Sequence, residues 1–256
     1  MPHSVHPTPR ENTPAPGEVL DLSKLWWNIN VPKEQWTEEC PPYLLGQSEK
    51  NIGILSRKDE DFKRYPWQQV EELVRTNNIH HFHRPSSQLR GYLAYTYHLK
   101  KTYGSVLLYI QQHRLGWPTI TPSGDAPFSN PSDYKILYND WPYFVEEGIK
   151  HLVVWTKFPI DENEETGEVT REAKRQIDEF IGKTFCEGEA GKRIEREKIV
   201  WFKNWKSLKS VHALGRSAYM RKLDGNDELS QQERTLCNLA VQSIEFRWLR
   251  GTHSRR

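Results

Sequence analysis

Residues 149–157, with the sequence IKHLVVWTK, constrain the fold of this chain more than any other segment. Apolar side chains occupy both faces of an extended chain here, whereas a strand with one face in water alternates apolar and polar residues. The segment therefore predicts a strand at the centre of a sheet that is covered on both sides. Residues 134–139, YKILYN, predict a second strand, and the NDWPY turn after it predicts that the two strands form a hairpin.

Helical spacing of apolar residues marks two segments before these strands. Residues 65–77 predict a short amphipathic helix. The stretch QLRGYLAYTYHLKKTY predicts a longer helix, capped by Ser86 or Ser87 and stopped by Gly104. Both helices precede the sheet, so helices and strands are segregated along the chain.

Further elements follow from local patterns. Residues 105–115, SVLLYIQQHRL, suit a buried strand as well as a helix, and the polar ending favours a helix. Thr170 predicts the cap of an amphipathic helix, and KIVWFKN at 198–204 predicts a third strand. A capping box at Ser230 predicts a terminal helix over 231–249.

The order of these elements predicts an α+β fold in which an antiparallel sheet packs with several helices in a single domain. Five of the sixteen prolines lie in the first sixteen residues, which predicts a disordered tail over 1–20. Residues 25–46 mix tryptophan with proline and predict a wrapped loop with one short helical turn. We expect the globular domain to span 21–222 and a divergent helix with a basic end to span 223–256.

Composition narrows the function classes. The formal net charge is +2 without a concentrated basic run before the C-terminus, which argues against nucleic acid as a partner. Cys40, Cys186 and Cys237 are scattered and have no metal-finger spacing, which favours a reducing compartment. No apolar stretch is suited to a signal peptide or a membrane span. The expected location is the cytoplasm, with the nucleus as the alternative, and no membrane partner is expected.

Histidine and arginine cluster in NNIHHFHRPSS, before the longer helix. His81 and His83 share a face of an extended chain, but a zinc site needs further ligands and none lies near in sequence, so we predict no metal and no cofactor. Arg84 with Ser86 at the helix N-terminus predicts an anion site, because backbone N–H groups and a cation converge there. The alternative is a capped helix with a solvated arginine.

His151 is the histidine best placed for catalysis. It alternates with Ile149, Val153 and Trp155 on one face of the central strand, so we expect it to be at least partly buried. Burial favours the neutral imidazole, which suits a base or a hydrogen-bonding role. The alternative is a histidine that only fills the core. Lys157 closes the strand and is a candidate anion-binding residue, or a lysine whose stem lies along apolar surface.

Several phrases of the sequence resemble one known family when they are taken in order. They run from about Leu25 to Leu214 and include WWNINVP, ECPPYL, RPSSQLRGYL, YKILYNDWPY, IKHLVVWTKFPI and IVWFKNWKSLKSVHAL. Together they resemble the fungal N-acetylglucosamine-induced protein family, which is defined by a domain of unknown function. The resemblance implies a fungal intracellular protein whose relatives respond to an amino sugar, with no established reaction.

One departure from the family pattern bears on mechanism. Members of this family typically continue after the WFKN phrase with a Glu-His-x-His strand, whereas this chain has Gly215, Arg216, Ser217 and Ala218 at the matching positions. More distantly, the pattern resembles the histidine-triad nucleotide hydrolases and transferases, whose His-x-His strand carries the nucleophile. That kinship implies substrate-positioning roles for His151 and Asn204 in a chain without its nucleophile. Either the chain diverges from about residue 215 onward, or these residues still form the strand.

These observations leave three hypotheses of function. The first is a noncatalytic or regulatory protein linked to the amino-sugar response, with a sugar phosphate or nucleotide sugar as ligand. The second is an enzyme on phosphorylated sugars or nucleotides, with anion contacts from Arg84 and Lys157 and proton handling by His151. The third is a protein-interaction module that docks through the terminal helix. The second requires its three residues to line one pocket.

Overall fold

The computed structural model describes residues 20–187, 194–203 and 215–222. Within these ranges it forms a four-stranded antiparallel sheet and several helices, as the sequence predicts for an α+β domain. The predicted N-terminal tail, the terminal helix over 231–249 and Asn204 lie outside the described residues. The division at residue 222 stays a prediction.

The sheet has the strand order β1-β2-β4-β3. Its strands are β1 (Tyr134–Tyr138), β2 (Ile149–Thr156), β3 (Ile199–Phe202) and β4 (Gly215–Lys222). The hairpin of β1 with β2 is confirmed, and β2 is an inner strand, as its apolar residues on both faces predict. Residues 215–222 do form a strand, which pairs with β2 on one side and β3 on the other.

The described helices are short except for the one after Pro85. They are α1 (Glu49–Leu55), α2 (Trp67–Arg75), α3 (Ser86–Tyr103), α4 (Val106–Tyr109) and α5 (Arg171–Ile181). A wider, π-type segment, Ile110–Leu115, continues α4, so the ambiguous stretch 105–115 is helical. Gly104 ends α3 with a positive φ of 77°, which glycine adopts without a Cβ clash.

The two faces of the sheet pack against different helices. Leu152 and Val154 of β2 face α5, whose buried side includes Ile177 and Ile181. The Oγ1 of Thr170 caps α5 by accepting a hydrogen bond from a backbone amide, as predicted. On the opposite face, alternate residues of β2 point toward α2, α3 and α4, and this second layer encloses the candidate site.

The loop before α1 differs from the sequence prediction. Instead of one helical turn, residues 25–46 contain three short 3₁₀ turns, Trp26–Asn28, Lys33–Gln35 and Pro42–Leu44, and a fourth, Leu22–Lys24, precedes them. Two of these turns begin at or just after a proline, because the fixed φ of proline suits the start of a turn although it excludes the interior of a helix. No helix in the described ranges is long and apolar enough to cross a membrane.

Candidate functional site

A cavity of about 330 Å³ lies between the sheet and the helices on the face opposite α5. Its walls come from α1, α3, α4, the segment before α3, the turn after β1, and strands β2 and β4. The described residues that line it carry four cationic side chains and one carboxylate, namely Lys50, Arg84, Arg114, Arg216 and Asp140. An excess of positive charge in a partly enclosed space favours an anionic ligand.

His151 lies in the wall that β2 contributes. Its residue exposure is 4%, and its ring stacks on Tyr143 with 5.4 Å between centroids. The amide of Asn139 lies 3.3 Å from the ring Nε2. Burial, together with the positive charges of Arg84 and Arg216, lowers the pKa of His151 to about 3, so the imidazole is neutral at physiological pH. The expectation of a buried histidine on this strand is confirmed, while its catalytic role stays a prediction.

Arg84 reaches the cavity from the segment that precedes α3. Its guanidinium donates to the carbonyl of Trp141 through Nε at 3.0 Å and through a second nitrogen. The rings of Tyr92 and Tyr143 each lie 4.9 Å from the guanidinium carbon, so the cation rests between two aromatic side chains. Burial lowers the pKa of Arg84 while the two phenols oppose that shift. These contacts hold the guanidinium of Arg84 in one orientation in the cavity wall.

Arg216 enters the same cavity from β4. It stands opposite Trp155 of β2 in the sheet register, and its guanidinium lies 5.6 Å from the centre of that indole. Burial lowers the pKa of Arg216, and the nearby charge of Arg84 lowers it further. Two guanidinium groups therefore share the cavity at close enough range to repel each other, and an anion between them would relieve that repulsion.

Lys50 adds a third cation from α1. Its ammonium donates to the carbonyls of His80 and, at 3.4 Å, Phe82, so it joins α1 to the segment before α3. Burial, and then the charge of Arg84, lowers the pKa of Lys50. The positive field on this side of the cavity thus comes from three separate parts of the chain.

A different set of polar groups lines the cavity at the turn after β1. Arg114, whose side chain is only 3% exposed, forms an ion pair with Asp140. Burial raises the pKa of Asp140, and the charge of Arg114 partly offsets that shift. Tyr95 of α3 lies close to this pair, and burial raises its pKa. In this pair the carboxylate of Asp140 offsets the positive charge of Arg114.

The predicted site residues do not all converge. Arg84 and His151 line the cavity together, but Lys157 does not: it lies six residues beyond His151, which is roughly 20 Å along an extended strand. Its ammonium is 3.9 Å from an Asp133 oxygen and sits over the ring of Trp117. The three-residue pocket of the enzyme hypothesis is therefore not assembled.

Ser86 is also outside the cavity lining. It is fully buried, and its hydroxyl donates to the carbonyl of Leu55 at 3.2 Å. The N-terminus of α3 does hold an anion, but the anion belongs to the protein: the amide of Ser87 donates to an Asp59 carboxylate oxygen at 2.9 Å. Arg84 turns away from this terminus toward the cavity, a direction that the sequence pattern alone does not give.

Of the histidines before α3, His83 lines the cavity and also makes local contacts. The hydroxyl of Tyr65 lies 2.6 Å from the Nδ1 of His83, whose ring is tilted against Phe62. Burial lowers the pKa of His83, and the hydrogen bond with the His81 carbonyl partly opposes that shift. In the part of the chain that the structure describes, no group of three or more potential metal ligands comes together.

Sequence reasoning missed Lys50, Arg114 and Asp140 as cavity residues, and it treated Arg216 only as the replacement of a histidine. Asp140 stands in the NDWPY turn that predicts the hairpin. Arg216 and Ala218 alternate on a strand, so both face the same side, and that alternation was a usable signal. Lys50 gives no such signal because its place depends on tertiary packing alone.

Comparison with known proteins places the chain in a family. Residues 66–217 match the family described as "Protein of unknown function (DUF3605)", which covers more than half of the chain. The chain belongs to this family. Every cavity residue from Ile79 to Ser217 falls in the matched range, whereas Lys50 and the rest of the α1 wall precede it.

Two relatives and one solved structure are similar to the chain. "N-acetylglucosamine-induced protein 1" of Candida albicans is 31% identical over 169 residues, 59% of this chain and 65% of that protein. The chain thus matches just under two thirds of the Candida protein's length. A Saccharomyces cerevisiae protein described as uncharacterized is 25% identical, over 62% of this chain and 79% of its own length.

The crystal structure of a protein named HTC1 matches with a TM-score of 0.52 and 22% identity. The match covers 67% of this chain and 92% of the HTC1 chain. At this identity the likeness concerns the fold alone. The family match and the Candida albicans relative, not this structure, confirm the family that the sequence resembles.

Proposed function

We propose that this protein binds a small phosphate-bearing metabolite in the cavity without converting it, and that this binding serves a response to an amino sugar. The observation that carries the proposal is the convergence of Arg84 and Arg216 on one enclosed space beside a neutral histidine. Guanidinium groups match the oxygens of a phosphate with paired hydrogen bonds, and a phosphate dianion would offset the repulsion between the two cations.

Binding without turnover is favoured by the state of His151. A general base works best when its pKa lies near the operating pH, whereas the pKa of this imidazole is lowered to about 3. The resemblance to the histidine-triad enzymes implies a nucleophilic histidine on the strand that is β4 here. Arg216 and Ala218 stand in that part of the strand, and neither side chain supplies a nucleophile at neutral pH.

The link to an amino sugar comes from one relative. The Candida albicans protein is described as N-acetylglucosamine-induced, which concerns when that protein is made and not what it binds. We include an amino sugar in the proposal for this chain. A positively charged cavity suits phosphorylated forms of the sugar better than the neutral sugar itself. The first ligands to test are therefore N-acetylglucosamine 6-phosphate and inorganic phosphate, with N-acetylglucosamine as the neutral comparison.

The test is ligand-dependent thermal stability combined with calorimetric titration. A ligand at one hundred times its Kd adds about 2.7 kcal/mol to the free energy of unfolding, which is readily measured as a rise in Tm. We expect this rise with the phosphorylated sugar and not with the neutral sugar. Phosphorus NMR of the same mixture after long incubation should show the phosphate ester unchanged.

Two cavity variants and one control sharpen the test. Arg84→Gln and Arg216→Gln each remove a charged donor, and we expect each to weaken phosphate binding about tenfold to hundredfold. Arg175→Gln removes an arginine from the exposed face of α5, where it pairs with Glu172 and Glu179, and should leave binding unchanged. Equal binding by all three variants, or the absence of any phosphate-dependent rise in Tm, would overturn the proposal. Release of phosphate would overturn binding without conversion.

A further inference from the structure

The cavity contains a second polar group whose chemistry differs from that of the phosphate-binding cations. The charges that shift the pKa of His151 are Arg84 and Arg216, whereas the charge that shifts the pKa of Asp140 is Arg114. The lining therefore divides into a cationic group around His151 and a charge-compensated group around Asp140. A ligand that fills the cavity meets both groups.

Asp140 has unused capacity to accept hydrogen bonds. Its Oδ1 accepts from Arg114, and within the described ranges no hydrogen bond reaches its Oδ2. Burial raises the pKa of Asp140, because this carboxylate is partly removed from water. A partly exposed carboxylate of this kind accepts readily from neutral hydroxyl donors, but it repels a second phosphate.

Trp141 joins the two groups and supplies an apolar wall. It follows Asp140 directly, and its carbonyl holds the guanidinium of Arg84. Its indole packs against Tyr92 at 5.9 Å and Tyr95 at 5.6 Å, and it also lines the cavity. A pyranose ring has hydroxyls at its edge and C–H groups on its faces, so it can lie on an aromatic ring while its hydroxyls reach a carboxylate.

The cavity volume limits the size of the ligand. About 330 Å³ is near the lower end of the range of roughly 300–1,000 Å³ that is usual for small-molecule sites. One sugar ring with one phosphate suits this space. A nucleotide sugar brings a base, a second sugar and a diphosphate, and its second phosphate would have to approach Asp140.

From these observations we infer that the ligand is the monophosphate of a single hexose, with its phosphate between Arg84 and Arg216 and its hydroxyls on Asp140 beside the Trp141 ring. This inference rests on the proposed function, because it assumes that a phosphate binds in the cavity. It decides between the two ligand classes that the sequence left open, in favour of the sugar phosphate.

The experiment compares a ligand panel on the full-length protein by calorimetric titration. The panel is inorganic phosphate, glucose 6-phosphate, N-acetylglucosamine 6-phosphate, adenosine monophosphate and UDP-N-acetylglucosamine. We expect the hexose monophosphates to bind at least tenfold more tightly than the other three. If a nucleotide or nucleotide sugar binds as tightly, or if inorganic phosphate equals the hexose monophosphates, the inference is overturned while the proposed function stands. If nothing in the panel binds, both are overturned.

Asp140→Asn tests the role of the carboxylate. We expect it to weaken hexose monophosphate binding about tenfold to hundredfold, and to leave inorganic phosphate binding as tight or tighter because a nearby negative charge is gone. Asp161→Asn changes an exposed carboxylate outside the cavity lining and is the matched control. If Asp140→Asn weakens the binding of both ligands equally, or of neither ligand, the assignment is contradicted.

Loss of the Asp140 charge leaves Arg114 without its carboxylate, so the variant could unfold. In that case wild-type protein is titrated with deoxy analogues of the better-bound hexose monophosphate, each of which lacks one hydroxyl. We expect at least one analogue to bind about tenfold or more weakly than the parent sugar phosphate, because a hydrogen bond to a charged group is lost. If all analogues bind as tightly as the parent sugar phosphate, the inference is overturned, whereas the proposal that a phosphate binds in the cavity stands.

Discussion

The imidazole of His151 sits among aromatic rings and two guanidinium groups, and this environment decides its charge. Desolvation and like charge both disfavour the imidazolium, so the two effects add. A core histidine enclosed by apolar side chains would lack the second effect. His151 therefore presents a neutral, hydrogen-bonding ring next to a cationic binding surface. A histidine that only fills the core would not need this arrangement.

The pH dependence of stability should report this environment. The pKa of His151 is about 3 in the folded state and near 6.5 in the unfolded chain, so the unfolded state binds more protons between these values. The folded state therefore loses stability as the pH falls below 6.5. His151→Gln removes this contribution, and we expect the loss of unfolding free energy between pH 7 and pH 5 to shrink by about 2 kcal/mol.

Urea denaturation at the two pH values measures this difference for each protein. His98→Gln, at an exposed position of α3, is measured in parallel as the control for the removal of an imidazole. An unchanged difference in His151→Gln would mean that the ring has the same pKa in the folded and unfolded states, which would contradict the lowered pKa.

At the scale of elements, α3 carries one wall of the cavity and is fitted closely to the turn after β1. Gly91 faces the indole of Trp141, and a Cβ at this position would lie 3.2 Å from two atoms of that ring. Because no side chain intervenes, Trp141 can approach the helix and pack between Tyr92 and Tyr95. The glycine thus allows a close contact that shapes the cavity.

Replacement of this glycine by alanine should reveal the contact. In a helix interior this change usually stabilises a protein by about 0.5–1 kcal/mol. Gly53→Ala in α1 meets nothing within 4 Å and should show that gain in urea denaturation. We expect Gly91→Ala to gain less or to lose stability, because the indole must move by a few tenths of an ångström. If Gly91→Ala stabilises the protein as much as Gly53→Ala, the contact with the Trp141 indole does not oppose a side chain at position 91.

The elements could be predicted from the sequence because their patterns are local. β2 shows its inner position through apolar residues on both faces, and α3 ends at a glycine. The cavity could be predicted only in part. His151 and Arg84 stand out as polar residues at the edges of apolar segments, whereas Asp140 looks like a turn residue. The enzyme hypothesis requires Lys157 to bind an anion in the same pocket as His151, and the rise along the strand separates the two.

The anion site at the start of α3 shows why chemistry predicted from sequence needs the tertiary structure. The exposed amides of the helix terminus do attract a carboxylate, as the pattern predicts, but Asp59 comes from an earlier loop and takes the place of a ligand. The sequence predicts that the helix terminus attracts an anion. It does not identify Asp59 as that anion, because Asp59 is 28 residues away along the chain.

At the scale of the whole molecule, the cavity is assembled from parts that are distant in sequence. The family match begins at residue 66, yet α1 contributes Lys50, Asn51 and Ile54 to the lining. The segment before the matched region therefore completes the cavity as well as packing on α3. Lys50 is the charged residue of this contribution, and its ammonium is held by the carbonyl of His80.

Lys50→Met should separate the binding role of this segment from its packing role. Methionine keeps the apolar stem and removes the charge, so we expect the Kd for N-acetylglucosamine 6-phosphate to rise about fivefold to tenfold, the effect of one cation at close range to a phosphate. Lys58→Met changes an exposed lysine of the same part of the chain and should leave the Kd unchanged. Calorimetric titration gives both values, and circular dichroism checks that the variants fold. If Lys50→Met binds as tightly as the wild type, the positive field of the cavity comes from the family-matched region alone, and α1 acts only as packing.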